Sequence, residues 1–169
     1  MIAAVTGHRP KDLFGYDLMN KNWSAVRAAI KRVLLEQGVT ELYTGMALGT
    51  DQLAALAVLD LRDRGHAIRL HAAIPCRGHA GNWPEKSRML YEAILSKCDE
   101  ITLVTDASYS PNLMQVRNRF MVDNSDMVIA VYKNTPGGTR NCVEYAKKKN
   151  RPIWLIPPAR PEDAGWADP

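Results

Sequence analysis

A chain of 169 residues can bury roughly two thirds of its unfolded surface in one domain, so neither a disulfide nor a structural metal is needed for it to stand. The formal charge of +4, with acids and bases interspersed, accommodates a phosphate-bearing partner without demanding a nucleic acid. Cys76, Cys98 and Cys142 are odd in number, widely spaced and without a Cys-x-x-Cys pair, which argues against a disulfide framework, and His8, His66, His71 and His79 lack zinc-like spacing, so no metal or cofactor is expected.

Met1 leads directly into an apolar strand, with no basic region, long hydrophobic run or cleavage site. Neither a secretion signal nor a membrane span is expected, and reduced thiols suit a cytoplasmic location. The first strand, Ile2 to Val5, ends in the polar loop Thr6-Gly7-His8-Arg9-Pro10. From Trp23 through Val26, Ile30, Val33 and Leu34 the apolar residues recur at helical spacing, and Gly38 closes the helix. Glu41 to Tyr43 is a second strand; the loop Thr44 to Asp51 then enters an apolar helix over Leu53 to Ala57. Ala67 to Ile74 is a third strand, followed by a longer loop and a helix opened by Pro84 and Glu85 that runs to about Lys97. Ile101 to Val104, a polar loop, a helix over Met114 to Ser125 and a buried strand over Met127 to Tyr132 come next. Gly137 and Gly138 turn the chain into a helix beginning near Thr139, and a last strand spans Pro152 to Ile156. Apolar strands alternating with helices predict an α/β domain over residues 1–156, Rossmann-like and doubly wound, its mainly parallel sheet covered by helices on both faces. The tail at 157–169, rich in proline and acids, is expected to pack loosely.

In such a sheet, ligands bind beyond the carboxyl ends of the strands. Arg9, Thr44, Gly45, Asp51, Arg77, Gly137, Gly138 and Thr139 all fall in loops or helix starts at that edge, and are candidate ligand-binding residues. The free amides of a first helical turn after Gly137-Gly138 make a ready phosphate site. Arg117 shares a helix face with Met114, Asn118 and Met121, and a guanidinium there requires an anion, either a protein carboxylate or a bound phosphate or carboxylate. Glu144 follows in the next helix, where the dipole favours its charged form; a solvated pairing with Lys148 is the competing role.

Several of these segments together resemble a known superfamily. Thr44-Gly45-Met46-Ala47-Leu48-Gly49-Thr50-Asp51 looks like the Gly-Met-Ala-x-Gly-x-Asp segment of the single-strand DNA-binding DprA/Smf proteins. Met114-x-x-Arg117, Ser125-Asp126 and Pro136-Gly137-Gly138 followed by Glu144 look like the signature of the Lonely Guy phosphoribohydrolases. Both belong to the SLOG superfamily, and the chain from Thr6 to Thr139 resembles its YpsA-like branch. The resemblance implies a Rossmann-like fold and a nucleotide-derived ligand, with Arg117 and Glu144 at the positions of the hydrolases' catalytic pair and Asn118 where those enzymes carry Lys. Arg140 and Asn141 stand in place of that signature's Gly-Thr.

Three functions follow as expectations. The first is binding of a nucleotide-type small molecule such as a nucleoside monophosphate or ADP-ribose. The second is hydrolysis of the N-glycosidic bond of a nucleoside 5'-monophosphate, with Arg117 and Glu144 as catalytic residues. The third, ranked lowest because the basic residues form no long stripe with interleaved aromatics, is binding of single-stranded nucleic acid. Whether the chain is an enzyme, and whether it forms a homo-oligomer, the sequence leaves open.

Overall fold

The first strand, β1 (Ile2–Gly7), occupies the middle of the sheet, which is why its residues are almost all small or apolar. The computed structural model describes residues 1–168 and contains one seven-stranded sheet in the order β4-β3-β2-β1-β5-β6-β7. The other strands are β2 (Glu41–Thr44), β3 (Arg69–Ile74), β4 (Glu100–Leu103), β5 (Met127–Val131), β6 (Ile153–Ile156) and β7 (Gly165–Trp166). All neighbouring pairs are parallel except β6 with β7. Five helices connect the parallel strands: α1 (Lys21–Glu36), α2 (Thr50–Asp63), α3 (Glu85–Leu95), α4 (Leu113–Asp123) and α5 (Gly138–Lys148).

Alternation along β1 divides the core. Ala3 and Val5 face a cluster formed with α1, α2 and Ile94 of α3, whereas Ala4 faces Met121, Val122, Cys142, Val143 and Ala146 of α4 and α5. The sheet is therefore covered on both faces, as the strand and helix alternation predicts. Asn20 caps α1 by accepting hydrogen bonds from the Asn22 and Trp23 amides at 3.1 and 3.0 Å, which starts the helix two residues before the apolar periodicity does. Ser125-Asp126 lies at the opening of β5, where the Asp126 carboxylate accepts from the Ile2 amide at 2.7 Å and fixes the register of the two central strands.

The tail requires a correction. Expected to pack loosely, it forms a 3-10 turn at Pro161–Asp163 with Pro161 buried, then β7, which pairs with β6. Trp166 sits edge-on to Trp154 with ring centroids 5.0 Å apart. The prolines end β6 sharply, and the two tryptophans supply the apolar contact that brings the chain back. Pro169, the end of the expected tail, lies outside the described residues. Among the described residues no helix is long and apolar enough to cross a membrane.

Candidate functional site

The connections leaving β1 and β5, neighbours in the sheet, run to opposite faces, one to α1 and the other to α5. A crevice opens between them at the carboxyl edge, the position at which open α/β sheets bind ligands. It has a volume of about 700 Å3 and is walled by the end of β1, the loop and first turn of α2, the inner face of α4 and the β5–α5 connection.

At the floor lies Arg117, only 4% exposed. Its Nη1 donates to the Gly45 carbonyl and stands 4.0 Å from Asp51 Oδ2, and its Nε donates to Asn118 Oδ1 at 2.9 Å. Gly45 has to be glycine for this arrangement, because a Cβ there would collide with the guanidinium. Asp51 is 5% exposed; its Oδ2 accepts from the Ala47 amide at 3.2 Å and its carbonyl accepts from the Thr44 hydroxyl at 2.9 Å. The Thr44 oxygen in turn accepts from the Met46 amide at 3.2 Å, holding a loop in which buried Met46 adopts φ 58, a left-handed conformation that costs a non-glycine residue on the order of 1 kcal/mol. Burial raises the Asp51 carboxyl above its ordinary value, opposed first by the Arg117 charge; burial lowers Arg117, opposed first by Asp51.

The rim is cationic. Arg9, Lys11 and Lys133 line it with Arg117 below, against the carboxylates of Asp12 and Asp51. Helix α5 begins at Gly138 after Gly137, whose φ of 139 favours glycine, and no side chain caps its first turn. Gly137, Gly138 and Thr139 line the cleft, so the free amides of that turn and the positive end of the helix dipole stand at its wall. His8 is buried, and its Nε2 accepts from the Lys133 amide at 3.2 Å, which assigns the proton to Nδ1. Burial, followed by the Lys133 charge, lowers its pKa, so the ring is neutral at pH 7.

The structure brings Arg9, Asp51, Arg117, Asn118, Gly137, Gly138 and Thr139 together in the cleft. Thr44 and Gly45 do not line it; they lie beneath, positioning Asp51 and Arg117. Arg77 is elsewhere: it pairs with Asp106 at 2.5 Å, largely in solvent, and borders a different hollow beside His79, Ile101 and Leu103. Its loop follows β3, two strands from β1 and about 10 Å away across the sheet, and it is the far end of that loop, at Trp83, that reaches back to the cleft. Glu144 also does not join Arg117 in the cleft; it is exposed on α5. Five residues on from Thr139, it is rotated by about 140° around the helix axis from that cleft-lining position. Arg140 is held away from the cleft by Tyr132 Oη at 3.0 Å and the Asn134 carbonyl at 3.2 Å. Sequence reasoning passed over His8, Lys11, Asp12, Tyr16, Trp83 and Lys133, which also line the cleft. His8 directly follows the end of β1 and Lys133 stands two residues past the end of β5, and that position was the available signal.

Fold and crevice together define a Rossmann-like α/β protein with a cleft at the topological switch point of its sheet. The model of the YspA SLOG family matches residues 3–160. The chain belongs to this family, the YpsA-like branch of SLOG. It is 33% identical over 144 residues to the SPbeta prophage-derived protein YoqJ of Bacillus subtilis strain 168, covering 78% of this chain and 84% of that one. A UPF0398 protein of Bacillus cereus strain B4264 is 31% identical over 153 residues, with 88% and 83% covered. Among solved structures, DNA processing protein A from Helicobacter pylori, a single-stranded DNA binder, aligns with a TM-score of 0.63 at 20% identity, and the chain spans 65% of its length. DNA processing protein A from Streptococcus pneumoniae aligns with a TM-score of 0.66 at 20% identity, with 50% of its length spanned. At that identity the likeness is one of fold.

Proposed function

We propose that the cleft binds a nucleotide-derived small molecule, a nucleoside monophosphate or a ligand of the ADP-ribose type, through its phosphate. The observation that carries this reading is the convergence of the uncapped first turn of α5 with the side chains of Arg9, Lys11 and Lys133 around one crevice. Its volume of about 700 Å3 falls in the range of small-molecule sites. A second, more apolar hollow shares Pro10, Tyr16 and Leu48 with it, which favours a ligand longer than phosphate and sugar alone. Gln52 lines that hollow, and its buried Nε2 has no hydrogen-bond partner.

Hydrolysis of an N-glycosidic bond ranks second. Arg117 is in place for it, but Glu144 is exposed outside the cleft, and Asp51, the carboxylate nearest Arg117, is engaged in the buried pair. Single-stranded nucleic acid ranks last, because a net charge of +4 offers few phosphate contacts. The three free cysteines fit a cytoplasmic setting. Thermal melting with AMP, ADP-ribose, adenosine and a single-stranded oligonucleotide tests the reading. A nucleotide at a hundred times its Kd stabilises by about 2.7 kcal/mol, a shift of roughly 5–11 °C for a chain of this size. Adenosine, which lacks the phosphate, is expected to shift far less. No shift with any nucleotide, or an equal shift with adenosine, overturns the proposal.

A further inference from the structure

At the opposite edge of the sheet, where the strands begin, Glu41 opens β2, Glu100 opens β4 and His71 is the third residue of β3. Register pairs Glu41 with Arg69 and His71 with Glu100, and the two-residue period of a strand puts all four on one face. His71 Nδ1 lies 3.3 Å from Glu41 Oε1 and 3.6 Å from Glu100 Oε2, and the three donor atoms lie within 4.8 Å of one another. Ligands held at about 2.0–2.2 Å around a tetrahedral zinc ion are separated by about 3.3–3.6 Å.

The imidazole is also held as a metal ligand is held. Its other nitrogen, Nε2, is 2.7 Å from the Thr102 hydroxyl, and its ring, 3% exposed, stacks on Tyr43 with centroids 4.1 Å apart. A ligating histidine characteristically gives its second N–H to an oxygen, which fixes the tautomer and aims the free lone pair. Here Nδ1 is the nitrogen aimed between two carboxylates, one of which, Glu100, is half exposed and provides an entry path. The only cation at the cluster among the described residues is Arg69, 58% exposed, whose guanidinium stands 3.7 Å from each carboxylate.

We propose that Glu41, His71 and Glu100 form a binding site for a divalent transition-metal ion of the zinc type, with water completing the coordination. Arg69 is the counter-charge that the ion displaces, swinging out on its flexible stem. An imidazole with only two carboxylates suits zinc, and suits calcium or magnesium poorly, since these demand more oxygen ligands. Bound there, the ion ties β2, β3 and β4 together at the edge away from the cleft, so the site is independent of what the cleft binds.

The test is calorimetric titration of the chelator-treated protein with zinc chloride, and with magnesium chloride as the control. Expected are one zinc ion per chain, no uptake of magnesium, at least tenfold weaker zinc binding in Glu41→Gln and Glu100→Gln, loss in His71→Asn, and tighter binding in Arg69→Ala. Glu100 and Arg69 are exposed, so their variants remain folded and readable even if His71→Asn does not. Absence of saturable zinc uptake by both the wild type and Arg69→Ala overturns the site. Uptake of unchanged affinity in the two glutamine variants overturns it as well.

Discussion

Replacing Arg117 by Met keeps most of the side chain's length and removes its charge. Asp51 is then left 5% exposed without the guanidinium that stood 4.0 Å away, and the Gly45 carbonyl loses its donor. Two unit charges at that distance interact by about 4 kcal/mol at an effective dielectric constant of 20, and breaking a buried pair from one side costs about 3–5 kcal/mol. For a chain of this length that corresponds to a fall in Tm of roughly 6–20 °C. Adding Asp51→Asn to Arg117→Met removes the stranded charge and should return part of the loss.

The deficit should also depend on pH. Burial already raises the folded-state pKa of Asp51 above 3.8, and taking away Arg117 removes the strongest opposing influence, so it rises further. A carboxyl whose folded pKa exceeds its unfolded one binds more protons folded than unfolded between the two values. Its destabilising contribution is therefore absent below about 3.8 and grows as pH rises through the window up to the folded pKa. Urea denaturation at pH 7 and again at pH 5 should show the gap between wild type and Arg117→Met narrowing on acidification. A deficit below about 1 kcal/mol, no recovery in the double variant, or a gap indifferent to pH would refute the ion pair as the organiser of the cleft floor.

Four further outcomes are expected. His79, whose pKa is lowered to about 3 by burial and then by the charges of Arg117 and Arg9, is neutral when folded and takes up a proton on unfolding between about 3 and 6.5; stability is lost as pH falls through that window, by at most about 1.4 kcal/mol per pH unit, and urea titrations of His79→Phe should show a flatter acid limb. Gly45→Ala forces Arg117 from its place and should approach Arg117→Met in stability, whereas Gly15→Ala, with open space around its Cβ, should cost only what its φ of 82 imposes, about 1 kcal/mol. Glu144→Gln should leave nucleotide affinity unchanged, because its side chain does not line the cleft; a chromatographic assay in which the wild type releases base and this variant does not would restore the hydrolase reading. Ending the chain at residue 156 removes β7 and the buried Pro161 and exposes Trp154, and should lower stability by about 2 kcal/mol in urea denaturation.

The layered fold was legible because its signals are local. Each parallel strand contains an apolar run, each helix start has a proline, glycine or capping-type residue, and alternation along β1 fixes two covered faces; β7, a Gly-Trp dipeptide, gives no such signal. Cleft-lining residues just beyond β1 and its neighbouring strands were legible for the same reason, since Arg9, Asp51 and Gly137 need only the rule that clefts in such sheets open at the carboxyl edge. Arg77 obeyed that rule and still missed, because strand order, which puts β3 two places from β1, and the path of the long loop after it, which brings Trp83 and not Arg77 to the cleft, are non-local quantities. Glu144 missed by helical rotation: counted from the helix start near Thr139 it lies about 140° round the axis from that residue, a rotation the motif spacing by itself does not express. The Glu41–His71–Glu100 cluster contains one histidine and no spaced motif, and only parallel register brings its members together.

The pairing of β1 with β5 joins Ala3 to Met127 and Gly7 to Val131, contacts separated by about 124 positions in the chain. Closing so long a loop costs more chain entropy than the shorter-range pairings of β1 with β2 and β2 with β3, and is expected to follow them. During synthesis the amino-terminal strands can therefore assemble while the residues from Lys133 to Thr139 are still to be made. One wall of the crevice is missing throughout that interval. A ligand of the kind proposed would have nothing complete to grip until β5 docks, so it would act on the lifetime of the finished protein by slowing its opening and leave the early steps of folding untouched.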